Sequence, residues 1–200
     1  RDTKALEFGV GAMKKIPAMF DSLFPGKTAV VVADKITYEI AGKIVYGYLN
    51  DAGINTDHPF VFTDPGLYAE WSYLEQLESY LKGRDVIAVA VGLGVINDLT
   101  KLASCHLGRR YIIVGTAASM DGYTSYGASV TYHGNKQTFD CPAPLGMVMD
   151  PAVAAKAPAG ITASGYGDLI AKIPSGADWI IADAVGSESI DPFAFSLVQK

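Results

Sequence analysis

Val86-Ile87-Ala88-Val89-Ala90-Val91-Gly92-Leu93-Gly94-Val95-Ile96-Asn97-Asp98-Leu99-Thr100-Lys101 decides the reading of this chain. Its first six residues form an unbroken, valine-rich apolar run, which suits a parallel strand covered on both faces. Gly92-Leu93-Gly94 then turns the chain, and a helix is expected from there through His106. Working outward, Thr28–Ala33 is a second β-branched run, ending at Asp34. Ile40, Ala41, Ile44, Val45, Tyr48 and Leu49 line one stripe of an amphipathic helix over Tyr38–Ala52, stopped by Gly53. Asn55–Phe62 reads as a weaker strand. Asp64-Pro65-Gly66 is turn chemistry, and a helix carrying Leu67, Trp71, Leu74, Leu77 and Leu81 follows to about Lys82. Tyr111–Gly115 is another buried strand. Strands and helices alternating over short connections predict a Rossmann-like, doubly wound parallel sheet with ligands at the carboxyl ends of its strands.

After Thr116 the pattern changes. Ser119–Ser129 is rich in Gly, Ser and Tyr. Val130–Tyr132 and Lys136–Phe139 flank His133-Gly134-Asn135 as a β-hairpin, and Leu145–Met149 is a last short strand. Pro151, Pro158 and Gly160 then punctuate an alanine-rich stretch, beyond which no strand followed by a crossover helix recurs. A boundary is therefore expected near residue 158, separating an α/β domain of residues 1–158 from the helical segment 159–200. There is no internal repeat.

Composition narrows the function classes. Half of the 200 residues are hydrophobic and 18% are charged, which suits a packed globule and excludes a disordered chain. The net charge of −5 provides no basic footprint for nucleic acid or for an anionic membrane. No apolar run approaches the ~20 residues of a membrane span. Arg1-Asp2-Thr3-Lys4 carries no signal-peptide core, and two cysteines, Cys105 and Cys141, make no disulfide framework. A cytoplasmic location is expected.

Three segments could carry chemistry. In the first, the Gly92/Gly94 pair between strand and helix lets backbone N–H groups approach a pyrophosphate at a helix N-terminus. It lacks the third glycine of the dinucleotide fingerprint and the Gly-Lys-Ser/Thr ending of a P-loop, so a plain tight turn explains it equally well. In the second, Thr116-Ala117-Ala118-Ser119-Met120-Asp121-Gly122-Tyr123-Thr124-Ser125 follows a strand directly. Its hydroxyls and carboxylate suit ribose, carboxamide or polyol groups, or else Asp121 is a cap. In the third, Gly165-Tyr166-Gly167-Asp168-Leu169-Ile170-Ala171-Lys172, Asp168 reads as an acidic residue opening a helix. His58, His106 and His133 lie in three separate elements without metal-ligand spacing and read as surface or boundary residues. No Gly-x-Ser-x-Gly elbow or activated cysteine supports nucleophilic catalysis.

Taken together, in this order and spacing, the three segments resemble the sn-glycerol-1-phosphate dehydrogenases. These belong to a superfamily with the metal-dependent glycerol dehydrogenases, iron-containing alcohol dehydrogenases and 3-dehydroquinate synthases. The likeness runs from Phe8-Gly9-Val10-Gly11-Ala12 to about Trp179. The resemblance implies NAD(P)H-dependent reduction of dihydroxyacetone phosphate to sn-glycerol 1-phosphate, with one divalent Zn²⁺ or Ni²⁺ ion. It places Asp34 on the adenosine ribose, where it would repel a 2′-phosphate and favour NAD. Gly94, Val95, Ile96, Asn97 and Asp98 would cradle the pyrophosphate. Thr116, Ala117, Ala118, Ser119 and Ser125 would line the rest of the cofactor path. Asp121 would bind a substrate hydroxyl, and Asp168 would ligate the metal and touch substrate. In the family two histidines further along the helical domain complete the metal site, and none of the three histidines here matches them. The chain is thus expected to be the nucleotide-binding domain plus the opening of a helical metal-binding domain, from a homo-oligomer acting on a small molecule. A dehydrogenase of glycerol or another small alcohol, and a noncatalytic nucleotide-binding module, are the alternative readings, with 3-dehydroquinate synthase third.

Overall fold

The structure, a computed structural model, describes residues 2–199. They fall into two compact units. The first runs through Ala118 and resumes over Gly122–Ala157; the second takes Ser119–Asp121 and the chain from Pro158 onward.

In chain order the first unit comprises β1 (Ala5–Phe8), α1 (Ile16–Leu23), β2 (Thr28–Asp34), α2 (Lys35–Thr37), α3 (Lys43–Asp51), β3 (Phe60–Phe62), α4 (Trp71–Leu81), β4 (Val86–Gly92), α5 (Gly94–His106), β5 (Ile112–Gly115), β6 (Ala128–Tyr132), β7 (Asn135–Phe139), β8 (Gly146–Met149) and α6 (Pro151–Ala154). A single π-helical turn, Tyr38–Gly42, joins α2 to α3. Six strands form one parallel sheet in the order β1-β8-β5-β4-β2-β3. Its central strands are apolar on both faces because helices cover both. Val31, Val89, Val91, Val114 and Val148 pack with Ile16 and Phe20 of α1 and Val45 and Leu49 of α3. Alternation sends Val30, Val32, Ala88, Ala90 and Ile113 to the opposite face, where α5 lies over β4 and β2 and α4 packs against α5. The doubly wound parallel architecture is the one the sequence predicts.

Several details differ from the sequence reading. No element is expected before Thr28, yet β1 and α1 are present. β1 is a four-residue edge strand with Leu6 and Phe8 exposed, and α1 starts at Ile16-Pro17, so neither offers a long periodic pattern. The strand expected over 55–62 contracts to Phe60–Phe62 plus an isolated bridge from Thr56 to Ala29, with Pro59 interrupting the donors between them. Helix α4 begins at Trp71, capped by the Glu70 carboxylate on the Ser72 N–H, which leaves Leu67 outside it. The hairpin β6–β7 turns in two residues rather than three. His133 (φ 49°) and Gly134 (φ 78°) occupy left-handed backbone, and Asn135 already pairs with Tyr132.

The second unit carries α7 (Ala159–Ile170), α8 (Lys172–Ala184) and α9 (Pro192–Val198). Trp179 and Phe195 pack at a tilt with 6.0 Å between ring centres, and Gln199 Nε2 donates to the Lys172 carbonyl at 2.5 Å. Asp168 does not open a helix: it sits in the last turn of α7, because Gly165 and Gly167 are tolerated inside that helix and leave it unbroken to Ile170. No helix among the described residues is long and apolar enough to cross a membrane.

Candidate functional site

From β2 the chain moves outward to β3 and returns as β4 on the other side of β2. Such a reversal opens a crevice at the carboxyl ends of the two inner strands, where doubly wound sheets bind ligands. The register puts specific residues on its rim. Ala33 pairs with Val91, so Asp34 and Gly92 leave the sheet side by side, and Gly92 pairs with Gly115, immediately before Thr116.

Gly92 is required by a close approach. A Cβ there would lie 2.8 Å from both Cβ and Cγ1 of Ile96, closer than carbon atoms pack. Only glycine lets the first turn of α5 fold directly over the strand end. That turn has no acidic side chain. Among the described residues the N–H groups of Gly94, Val95 and Ile96 have no acceptor, whereas the Asn97 N–H bonds the Leu93 carbonyl at 3.0 Å. Three free donors at the positive end of a thirteen-residue helix are groups that a helix start can offer to an anion. On the neighbouring strand end, Asp34 caps α2: its Oδ1 accepts the N–H groups of Ile36 and Thr37, each at 2.8 Å. Oδ2 makes no bond among the described residues and remains available to a hydroxyl.

The sequence reading runs the phosphate-contacting stretch through Asn97 and Asp98; in the structure the N–H groups without an acceptor among the described residues are those of Gly94–Ile96. The Asn97 side chain is completely buried, taking the Tyr111 hydroxyl on Oδ1 at 2.7 Å and giving Nδ2 to the Tyr123 carbonyl at 3.3 Å. Burial pushes Asp98 up to about 6, against the opposing pull of Lys101, a hydrogen bond from the Ser129 N–H, and Lys136. Lys101 is 1% exposed and donates from Nζ to the carbonyls of Ser125 and Gly127, both at 2.9 Å. Tyr123 in turn donates its hydroxyl to the Ala117 carbonyl at 2.8 Å. Thr116 and Ala117 are buried, Ala118 and Ser125 exposed, and Ser119 half-buried; Ser125 Oγ donates to the Gly122 carbonyl at 2.7 Å.

The second unit has a polar cluster of its own. The Asp121 N–H donates to Asp168 Oδ2 at 3.0 Å, and Lys172 Nζ lies 3.0 Å from Asp121 Oδ2. The hydrogen bond from Asp121, with help from the Lys172 charge, holds the half-buried Asp168 carboxyl below its ordinary value. Among the described residues there is no group of three or more His, Cys, Asp or Glu side chains able to hold a metal ion. His58 and His133 are exposed, and His106 pairs with Glu78 across α5 and α4 at 2.6 Å. Cys105 and Cys141 are free thiols, and burial raises the Cys141 thiol to about 11.

The model of iron-containing alcohol dehydrogenases matches residues 7–158. The chain belongs to the iron-containing alcohol dehydrogenase family. A glycerol-1-phosphate dehydrogenase [NAD(P)+] of Halalkalibacterium halodurans is 34% identical over 173 residues, covering 85% of this chain and 43% of the relative. One from Methanosarcina mazei is 32% identical over 189 residues, covering 94% and 52%. The chain thus spans about half or less of the length of these curated relatives. Among solved structures, a probable glycerol dehydrogenase from Sinorhizobium meliloti superposes with a TM-score of 0.70 at 26% identity, over 85% of this chain and 45% of that one. Glycerol dehydrogenase from Schizosaccharomyces pombe, at 22% identity and a TM-score of 0.72, shares the fold.

Membership in the iron-containing alcohol dehydrogenase family leaves three polar residues that the sequence reading overlooks. Lys101 and Lys172 are among them. The third is the buried Asp150, which caps α6 on the Ala152 N–H at 3.0 Å and takes the Gly11 N–H at 2.8 Å, tying the Gly9–Gly11 turn to the end of β8. A signal existed for Lys101: it follows Asn97 by four residues and Asp98 by three, so one face of α5 carries all three polar side chains together.

Proposed function

We propose that this chain carries the nucleotide-binding domain, residues 1–158, and the first helices of the metal-binding domain, residues 159–200, of an NAD(P)H-dependent glycerol-1-phosphate dehydrogenase. The observation that carries the reading is the trio of free N–H groups on Gly94, Val95 and Ile96, set beside Asp34 at the switch point of the sheet. These groups fit a dinucleotide pyrophosphate and an adenosine ribose. NAD(P)H, when bound, supplies the hydride that reduces the C2 carbonyl of dihydroxyacetone phosphate. In this reading Gly94–Ile96 anchor the pyrophosphate and Asp34 takes the ribose hydroxyls. Thr116–Ser119 and Ser125 border the cofactor, Asp121 orients a substrate hydroxyl, and Asp168 is one ligand of a divalent ion, Zn²⁺ or Ni²⁺. One carboxylate is not by itself a metal site, since stable zinc sites take three protein ligands or more. The names of the bacterial and archaeal relatives support the substrate and the dinucleotide.

A second reading is a nucleotide-binding module without catalysis, in which the same Gly94–Ile96 donors and Asp34 hold a dinucleotide that is not turned over. One experiment tests both. NADH fluorescence is titrated with the 200-residue chain and with Gly94→Val, and dihydroxyacetone phosphate reduction is followed with Zn²⁺ or Ni²⁺ added. The dehydrogenase reading expects NADH binding that Gly94→Val abolishes, and turnover once the chain is extended with the remaining length of its relatives. Turnover absent from the extended protein, with NADH binding intact, selects the module. No NADH binding by the parent chain refutes both.

A further inference from the structure

Helix α5 does more than present donors at its N-terminus. Two of its side chains reach one stretch of backbone, and they meet it at alternate residues, 123, 125 and 127. Asn97 Nδ2 donates to the carbonyl of Tyr123, and Lys101 Nζ to those of Ser125 and Gly127. Period-two contact is how an extended chain meets a neighbouring strand. Here the neighbour is a helix, and its side chains replace the missing ladder. Of the three contacts Lys101 makes two, both through a cation donating to carbonyls in a buried setting, where such bonds are strongest. The 1% exposure of Lys101 gives its ammonium no water to fall back on. Burial lowers its pKa, and the nearby Asp98 carboxylate opposes that shift.

The anchored stretch is the one that carries Ser125, and the helix that anchors it is the one that begins with Gly94. We propose that Lys101 is a positioning residue: it fixes the backbone of residues 122–129 to α5, so that Ser125 is held at a set position relative to the N–H groups of Gly94–Ile96 before the dinucleotide arrives. The inference rests on the nucleotide reading above and adds to it a residue that touches no ligand. Its physical content is pre-organisation. A segment that must be ordered at the moment of binding lowers the apparent affinity by the fraction of molecules already in the competent state.

The test uses the 200-residue chain and Lys101→Met, which keeps the length and packing of the stem and removes the donor. Amide hydrogen exchange is measured by mass spectrometry with and without saturating NADH, alongside NADH affinity from fluorescence titration. Exchange in residues 122–129 should accelerate by about tenfold or more, the loss expected for hydrogen bonds to a charged group, with β2, β4 and β5 unchanged. NADH should bind more weakly by a similar factor. Because ordering and binding are linked, saturating NADH should return protection to residues 122–129 of the variant, which a purely structural lysine would not show. If Lys101→Met strands the Asp98 charge and fails to fold, Asp98→Asn combined with Lys101→Met leaves no buried charge and should show the same selective loosening. Unaltered exchange in 122–129, an unaltered NADH affinity, or a double variant that loosens the whole sheet each overturns the role of Lys101. A parent chain that bound no NADH would instead overturn the nucleotide reading, so the two failures are distinguishable.

Discussion

Replacing Gly92 by alanine tests the link between packing and binding at the switch point. The added Cβ would sit 2.8 Å from Ile96 Cβ and Cγ1 and 3.2 Å from Cγ2. Rotating Ile96 about χ1 moves the γ-carbons but not Cβ, so the clash can be relieved only by lifting the start of α5 off β4. Normal carbon–carbon contact is about 3.5–4.0 Å, which sets the required movement at about 0.7–1.2 Å. Overpacking of this kind in a buried site costs about 1–3 kcal/mol. For a domain of this size that lowers the melting temperature by roughly 2–4 °C per kcal/mol. The same movement shifts the Gly94–Ile96 donors away from the rim, so NADH affinity should fall along with stability. Calorimetry and NADH titration on Gly92→Ala give both numbers. Adding Ile96→Ala removes the γ-carbon clashes but leaves Cβ facing Cβ, so a double-mutant cycle should show favourable coupling and incomplete recovery. An unchanged melting temperature, or full destabilisation with NADH affinity untouched, would refute the claim that this glycine serves both ends.

Three further outcomes follow from the same geometry. Burial raises Asp98 to about 6 in the fold, so its ionisation opposes folding: the penalty is absent below about pH 4, grows as pH rises, and is complete above about pH 6. Denaturant unfolding should therefore lose on the order of 2–3 kcal/mol of stability across that window relative to Asp98→Asn, and parallel profiles for the two proteins would count against it. Asp34→Ala removes the cap on α2 at a cost of about 1 kcal/mol and should narrow the difference in affinity between NADH and NADPH, as read by fluorescence titration; an unchanged preference would confine Asp34 to capping. Calorimetric titration with Zn²⁺ should show weak binding to this chain, reduced further in Asp168→Asn, whereas a tight site indifferent to that substitution would remove Asp168 from metal binding.

The doubly wound sheet was legible because its central strands are buried on both faces, so Thr28–Ala33 and Val86–Val91 read as uninterrupted apolar runs. The edges were not. β1 exposes Leu6 and Phe8 and pairs on one side only, and β3 keeps three residues, so neither has the length or pattern that a sequence window detects. The glycine turn before α5 was legible as a phosphate cradle or a plain tight turn, two readings that the sequence left level, and the packing of Gly92 against Ile96 was not legible in it. Nor was the division of labour within the turn. Which of Gly94–Asp98 keeps a free N–H depends on where the Leu93 carbonyl points, and Asn97 is drawn inward by Tyr111 and Tyr123, fourteen and twenty-six residues away. The Asp121–Asp168 contact was equally hidden, because it joins residues forty-seven apart. Placing Asp168 at a helix start was mistaken because Gly165 and Gly167, usual helix breakers, lie within α7.

The central claim is that a dinucleotide pyrophosphate sits on the first turn of α5. A ¹⁵N–¹H correlation spectrum of the labelled chain titrated with NADH reads that turn directly, since each free donor contributes its own amide signal. The account predicts the largest saturable shifts at Gly94, Val95 and Ile96, with smaller ones at Thr116 and Ser125 and little at Asn97, whose N–H already holds the Leu93 carbonyl. Saturable shifts centred elsewhere, with Gly94–Ile96 unmoved, would contradict it.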